Sequence, residues 1–364
     1  MKRLVSLFLS LGISLYGGGV SPKLAGSVVM IGFDGTTAPK GSPICRDIER
    51  FDLAGVILFD RMPGSKSKVK NIRNPQQLSR LTRELRACSG DGRLLIAIDQ
   101  EGGAVQRLGR VKGFGRYPKA STVARRGEEY ARKIYGRMAD ELSRVGIDYN
   151  LAPVVDLSLN PRNRVIYGFG RSYGGDVEKV VSFARIFIEE MHSKNILVSL
   201  KHFPGHGSST GDTHEGFVDV SGEWKQMEME PFGRLASIAD SVMVAHIYNR
   251  NLDRRFPASL SKKTIGGYLT GRLGFDGVVI SDDMQMGALE GRYPLKERLR
   301  LALEAGEDIL LFANQTTAKK RVDAETIVKL ITALVEDGKL DISTLERASR
   351  KVKKMKRKLD SYRD

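Results

Sequence analysis

Short apolar runs rich in β-branched residues recur along the chain at 28–33, 56–59, 94–98, 149–154, 197–200, 241–245, 278–280 and 309–312. Each is too short for a helix and is buried on both faces if it pairs with like neighbours, so each predicts a strand. Between them the apolar positions fall at steps of three and four. Ile134, Met138 and Leu142 are closed by Gly146, and Val180, Phe183, Phe187 and Met191 repeat the pattern, which predicts helices. Eight strands alternate with helices, at a spacing of about 40 residues per unit, which suits βα units with generous loops. The expected architecture is an α/β fold, a single-domain (β/α)8 TIM barrel over residues 21–340. A doubly wound open sheet is the competing arrangement, but no Gly-x-Gly-x-x-Gly turn follows the first strand.

In such a barrel the chemistry sits on the loops after the strand C-termini. The polar residues obey this rule: 99–107 follow the third strand, Asp156 the fourth, 201–214 the fifth, His246 the sixth, Asp282 the seventh and Asn314 the eighth. The stretch KHFPGHGSSTGDTHE at 201–215 holds three of the five histidines, an aspartate and three glycines. Imidazole both gives and takes a proton near neutral pH, with an unperturbed pKa of about 6.5. Glycine gives such a loop the freedom to close over a substrate.

Composition narrows the class. The 364 residues are 41% hydrophobic and 28% charged, which suits a globular core and excludes disorder, collagen and a membrane bundle. Lysine and arginine number 59 against 43 acids, a formal charge of +16 that predicts attraction to polyanions without choosing among nucleic acid, anionic lipid and cell-wall polymer. Residues 1–20 run from Lys2 and Arg3 through an apolar stretch to Gly17, Gly18, Gly19 and Ser21, the order of a secretory signal or N-terminal anchor. The expected location is therefore periplasmic or extracellular, with a cytoplasmic one as the alternative. Cys45 and Cys88 are the only cysteines, which excludes a disulfide scaffold and a four-cysteine metal site. Both a pair in an oxidising compartment and two buried thiols remain open. At the other end, 341–364 carries Leu345, Ala348, Val352, Met355 and Leu359 at helical spacing, predicting a basic amphipathic helix packed on the barrel, its lysines forming a solvated face.

Five motifs in order carry a resemblance: IDQEGGAVQRL (98–108), APVVDL (152–157), GRSYGGD (170–176), KHFPGHG with DTH (201–214) and SDDMQMGAL (281–289). Together they resemble the β-N-acetylglucosaminidases of glycoside hydrolase family 3, of the peptidoglycan-recycling type, across residues 28–315. The resemblance implies a TIM-barrel exo-enzyme that removes terminal N-acetylglucosamine from muropeptides and uses no cofactor and no metal. It implies that Asp99, Arg107, Arg171, Lys201 and His202 bind the terminal sugar. It further implies that His214 is the acid/base, with Asp212 as its partner, and that Asp282 is the nucleophile.

The chemistry stands beside the resemblance. Retaining glycoside hydrolysis needs a carboxylate on one side of the anomeric carbon and a proton donor near the leaving oxygen. Asp282 meets the first need; strand alternation past Ser281 is expected to send Asp282 and Asp283 to opposite faces, the other serving as a helix N-cap. His214 in place of a second carboxylate is a departure, and Asp212 two residues earlier can orient its ring. Ser208, Ser209, Thr213 and Arg164 differ from residues common in relatives and bear on the loop and the aglycone side. Alternatives from other classes are a β-glucosidase or glycoside phosphorylase of the same family, a metal-dependent amidohydrolase with His202, His206 and His214 as zinc ligands, and a cationic binding protein. The zinc reading lacks a His-x-His or His-Glu-x-x-His spacing. No nucleic-acid partner is expected, while the basic charge favours attraction to a membrane surface.

Overall fold

Each of the eight apolar runs forms a strand in the computed structural model, which describes residues 19–65, 67–109, 111–213, 215–317 and 320–360. They are β1 (Val29–Gly32), β2 (Gly55–Ile57), β3 (Leu95–Ile98), β4 (Tyr149–Asn150), β5 (Leu197–Phe203), β6 (Ser241–Val244), β7 (Val278–Ser281) and β8 (Leu310–Phe312). All neighbours pair in parallel, β8 pairs with β1, and a parallel bridge from Ile280 to Ile309 joins β7 to β8. The sheet therefore closes as the expected (β/α)8 barrel. β4 is shorter than the run 149–154 because Pro153 has no N–H for the ladder; pairing resumes at Val154 opposite Lys201.

Alternation along the strands divides the core in two. Met30, Ile57, Leu95, Tyr149, Leu197, Met243, Val278 and Leu311 fill the barrel interior, whereas Val29, Val56, Ile96, Val198, Val242 and Phe312 pack outward on the helices. The helices begin where short polar side chains cap them: Asn74 accepts from the Gln77 N–H, Asp176 from Lys179 and Asp323 from Thr326. Val180, Phe183, Phe187 and Met191 are buried on helix Val177–His192, as are Ile134, Met138 and Leu142 on helix Glu128–Arg144. Cys45 and Cys88 are buried and joined by a disulfide between helices Pro43–Phe51 and Pro75–Ala87.

The C-terminal helix Ile342–Arg357 closes the end of the barrel opposite the chemistry. Val352, Met355 and Leu359 join the interior cluster. Its lysines do not simply form a solvated face. Lys356 is buried and donates to the Leu53 carbonyl at 2.9 Å, Lys351 to the Gly277 carbonyl at 2.8 Å, and Lys358 pairs with Asp240 at 2.7 Å. The long stems reach carbonyls and carboxylates in the loops before β2, β6 and β7, which periodicity cannot register. The leader expected at 1–20 lies, but for its last two residues, outside the described residues. No helix among the described residues is long and apolar enough to cross a membrane.

One interior carboxyl is out of keeping with this core. Glu307 is wholly buried and neither of its carboxyl oxygens has a hydrogen-bond partner. Burial, with Asp308 and Asp282 adding to it, pushes its pKa well above the ordinary carboxylate value and so favours its neutral form in the fold. A carboxyl raised in this way contributes fully below its unfolded pKa and loses stability as pH rises, because only the unfolded chain ionises it readily. Glu307→Leu is therefore expected to stabilise the protein at pH 7 by about 1–3 kcal/mol. Urea unfolding checks this, and an unchanged or lower midpoint contradicts it.

Candidate active site

Asp99 is the first residue past β3, and the chain then turns through a hairpin, Gln100–Gly102 against Val105–Gln106. Gly102 (φ +99°) and Gly103 (φ +62°) make that turn, and a side chain at Gly102 would lie 2.4 Å from the Pro118 carbonyl oxygen. The hairpin brings Arg107 back so that its Nη2 lies 2.9 Å from Asp99 Oδ2. From β5, consecutive Lys201 and His202 both face the same cavity, because the register against β6 shifts between Leu200 and Phe203 and breaks strict alternation.

The polar side chains are locked into one network. Lys201 Nζ lies 3.0 Å from Asp99 and 2.8 Å from Glu101. Arg171, from the loop after β4, grips Glu101 with two 2.8 Å bonds, and its Nη2 is 3.3 Å from His202 Nε2. A guanidinium can only donate, so His202 Nε2 accepts and Nδ1 carries the proton toward Asp156 Oδ2 at 2.7 Å. Asp156 Oδ1 also accepts the backbone N–H groups of His202 and His206, at 3.2 and 2.8 Å.

Burial alone raises the pKa of the carboxylates in this network. For Asp99 the adjacent Lys201 and Arg107 outweigh it and hold the group well below the usual range. For Glu101, Arg171 and Lys201 bring the pKa down to about 2. The same carboxylates raise Lys201 against the downward pull of its burial. Fixed, fully ionised donors and acceptors of this kind suit recognition of sugar hydroxyls.

These groups surround a cavity of about 220 Å³ at the C-terminal mouth, where Asp99, Arg107, Arg171, Lys201, His202 and Asp282 converge above an apolar wall of Phe59, Leu151 and Met243. A cleft of about 490 Å³ at the other end is larger, but its Lys351, Lys354 and Lys358 are paired with Asp308, Asp276 and Asp240. The mouth is where unlike charges converge on open space.

The five expected sugar-binding residues and Asp282 are thus brought together. Asp283 corrects the expectation that only one of the neighbouring aspartates faces the mouth, since both line the cavity. β7 ends at Ser281, so pleat alternation no longer applies. Asp283 Oδ1 instead accepts the Gln285 and Ala313 N–H groups, capping a turn rather than a helix. Asp212 does not line this cavity. Its carbonyl accepts the N–H groups of Glu215 and Gly216, and the Thr213 carbonyl accepts from Ala288, so this loop docks on the segment after β7. His214 lies outside the described residues.

Neither Glu101 nor Asp156 is among the site residues that the resemblance implies. Glu101 carried a signal, sitting two positions past Asp99 in the same motif and on the same side of an extended segment. Asp156 was legible as a polar residue after the fourth strand, but its role under His202 depends on a contact across 46 positions. Asp156→Asn removes the acceptor that fixes the imidazole, and displacement of a positioning group can cost about 100-fold in kcat/KM. Hydrolysis of a nitrophenyl N-acetylglucosaminide measures it; an unchanged kcat/KM in a folded variant would show that ring orientation is immaterial. The zinc reading fares poorly at His202, both of whose ring nitrogens are engaged. Among the described residues no three His, Cys, Asp or Glu side chains gather as a metal cluster.

Comparison with known proteins places the site in a family. The model for the N-terminal domain of glycosyl hydrolase family 3 matches residues 40–355. The chain belongs to glycoside hydrolase family 3. It is 36% identical over 268 residues to a β-hexosaminidase of Pseudomonas aeruginosa, covering 72% of this chain and 76% of that protein. A β-N-acetylhexosaminidase structure from Beutenbergia cavernae superposes with a TM-score of 0.80 at 29% identity, over 93% of this chain and 98% of its own. A family 3 β-N-acetylglucosaminidase from Paenibacillus sp. str. FPU-7 gives a TM-score of 0.82 at 29% identity and covers 94% of this chain, which spans 63% of that longer protein. Family 3 membership makes the protein a glycoside hydrolase with a barrel of the family's type.

Proposed function

We propose that this family 3 β-N-acetylhexosaminidase is a retaining exo-β-N-acetylglucosaminidase that releases terminal N-acetylglucosamine from peptidoglycan fragments. The observation that carries the reading is Asp282 facing Asp99, Arg107, Arg171, Lys201 and His202 across a cavity of about 220 Å³. That space falls below the roughly 300–1,000 Å³ of drug-sized sites, which favours a single terminal sugar. The similarity to β-hexosaminidases favours an N-acetylated one.

In the first step a carboxylate oxygen of Asp282 attacks the anomeric carbon while the glycosidic bond breaks, and His214, oriented by Asp212, gives its proton to the leaving oxygen. In the second, His214 takes a proton from water, the water oxygen bonds to the anomeric carbon and Asp282 leaves. Two inversions give net retention. Asp99 accepts from sugar hydroxyls while Arg107 and Lys201 donate.

Action outside the cytoplasm fits the buried Cys45–Cys88 disulfide, since such bonds persist in oxidising compartments. For His214→Ala, the expected result is a large loss with poor leaving groups and a much smaller one with nitrophenyl glycosides, which need little protonation. Equal losses on both would contradict the acid role. Paired nitrophenyl substrates test the sugar, and preference for the glucoside would overturn the N-acetylglucosaminidase reading.

A further inference from the structure

Positive charge is not spread evenly around the mouth. Residues 102–127, after β3, contain seven lysines and arginines, and 157–175, after β4, contain three, with no aspartate or glutamate in either segment. The segments touch: the Ser121 N–H donates to the Gly170 carbonyl at 3.1 Å, and the Lys119 stem lies across Gly170, where a side chain would meet it at 2.7 Å. Arg107 and Arg171 turn into the sugar cavity and are neutralised there by Asp99 and Glu101.

Five of the others are not neutralised. Lys119, Arg125, Arg126, Arg162 and Arg164 are exposed, and none has a carboxylate within ion-pair distance among the described residues. Beside them stand Tyr167 and Phe169, 47% and 53% exposed, the most exposed large hydrophobic side chains among the described residues. Phe169 is two residues from Arg171, so their Cα atoms are at most about 7 Å apart and the ridge adjoins the sugar cavity. Across the mouth, Glu215 after β5 and Glu290 after β7 offer carboxylates, and Lys320 after β8 is paired with Glu290.

We propose that this ridge, with Arg125, Arg126, Arg162 and Arg164 as cations and Tyr167 and Phe169 as platforms, docks the aglycone and selects fragments whose peptide branches bear carboxylates over neutral oligosaccharides. The inference rests on the N-acetylglucosaminidase reading and names the substrate class that the same site takes. Unpaired guanidinium groups hold carboxylates bidentately, and exposed rings present flat apolar faces to the apolar faces of sugar rings. Its continuity with Arg171 favours the leaving half of the bound substrate over an unrelated polyanion.

The test compares the full-length protein with Arg125→Ser/Arg126→Ser/Arg162→Ser/Arg164→Ser and with Tyr167→Ala/Phe169→Ala, on chitobiose and on a disaccharide-pentapeptide that presents the same terminal sugar. For the arginine variant, kcat/KM on the disaccharide-pentapeptide is expected to fall about tenfold through KM, with chitobiose within about twofold, and added salt should bring the wild type to the variant's level. The aromatic variant is expected to lose KM on both oligosaccharides but not on a nitrophenyl glycoside. Equal losses on the two oligosaccharides in the arginine variant, or none, would overturn the proposal. So would an unchanged substrate ratio accompanied by weaker binding of single-stranded RNA or anionic vesicles, which would give the ridge to that partner. If the wild type cleaves neither substrate, the functional reading fails instead. Equilibrium binding of the two saccharides to wild type and arginine variant then decides the ridge: a preference lost in the variant upholds it, and equal binding ends it.

Discussion

Asp282→Asn is expected to lower kcat on the order of 10⁴-fold while leaving KM within a few-fold, because the amide keeps the shape and loses only the nucleophile. The substituted side chain can still accept from the Asp283 N–H, a bond of 2.8 Å to Asp282 Oδ1, so local structure is retained. A 2-fluoro sugar trap gives the complementary readout: intact mass of the wild type should show a covalent adduct, mapped by peptide sequencing to Asp282. Both aspartates line the cavity, so the choice between them is a real one. An adduct on Asp283, or a larger loss in Asp283→Asn, would reverse the assignment. Complete absence of an enzyme-linked sugar would instead transfer the role to the substrate's own acetamido group.

Lys201→Met carries the second largest expected effect, and it shows in stability as well as activity. The Lys201 side chain is 3% exposed and lies between Asp99 and Glu101. Removing it leaves two buried carboxylates with one arginine each, which costs about 3–5 kcal/mol for an uncompensated buried charge. The pH dependence has a definite sign. Glu101 sits at about 2 in the fold against an ordinary value near 4.5, so its contribution is present above about pH 4.5 and is lost as pH falls through 2. That shift corresponds to about 3 kcal/mol. Without Lys201 the folded pKa moves back toward the ordinary value, so acid destabilisation still begins near about pH 4.5 but shrinks and levels off at a higher pH. Urea midpoints at pH 7, 5, 4 and 3 test this; curves parallel to wild type at equal stability would show that Lys201 does not hold the network. Activity on any N-acetylglucosaminide should fall with it, since a donor to the sugar is gone.

The ease with which the fold was read has a physical cause. Parallel strands buried on both faces must be apolar throughout, so β3 and β7 announce themselves as LIAI and VVIS, and the rule that loops after such strands carry the chemistry located Asp99, Lys201 and Asp282. Reading was weaker where periodicity stops. Past Ser281 the alternation argument failed for Asp283, because the chain had left the strand for a turn held by Gln285 and Ala313. On the last helix, charge pattern alone made Lys351, Lys356 and Lys358 solvent-facing, although their stems carry the ammonium groups to carbonyls and a carboxylate under the barrel.

By itself the chain's order of residues determined which segments are strands and helices, that they close into a barrel, and which polar groups gather after the strands, since each follows from local periodicity and from backbone groups that must pair. Only the tertiary structure decided how those groups meet: that Glu101 bridges Arg171 and Lys201, that Asp156 sets the proton on His202, that Cys45 and Cys88 are joined, and that an uncompensated basic ridge borders the cavity. These are contacts between residues tens of positions apart, and ionisation, tautomer and net local charge depend on distance and burial in space rather than on separation along the chain.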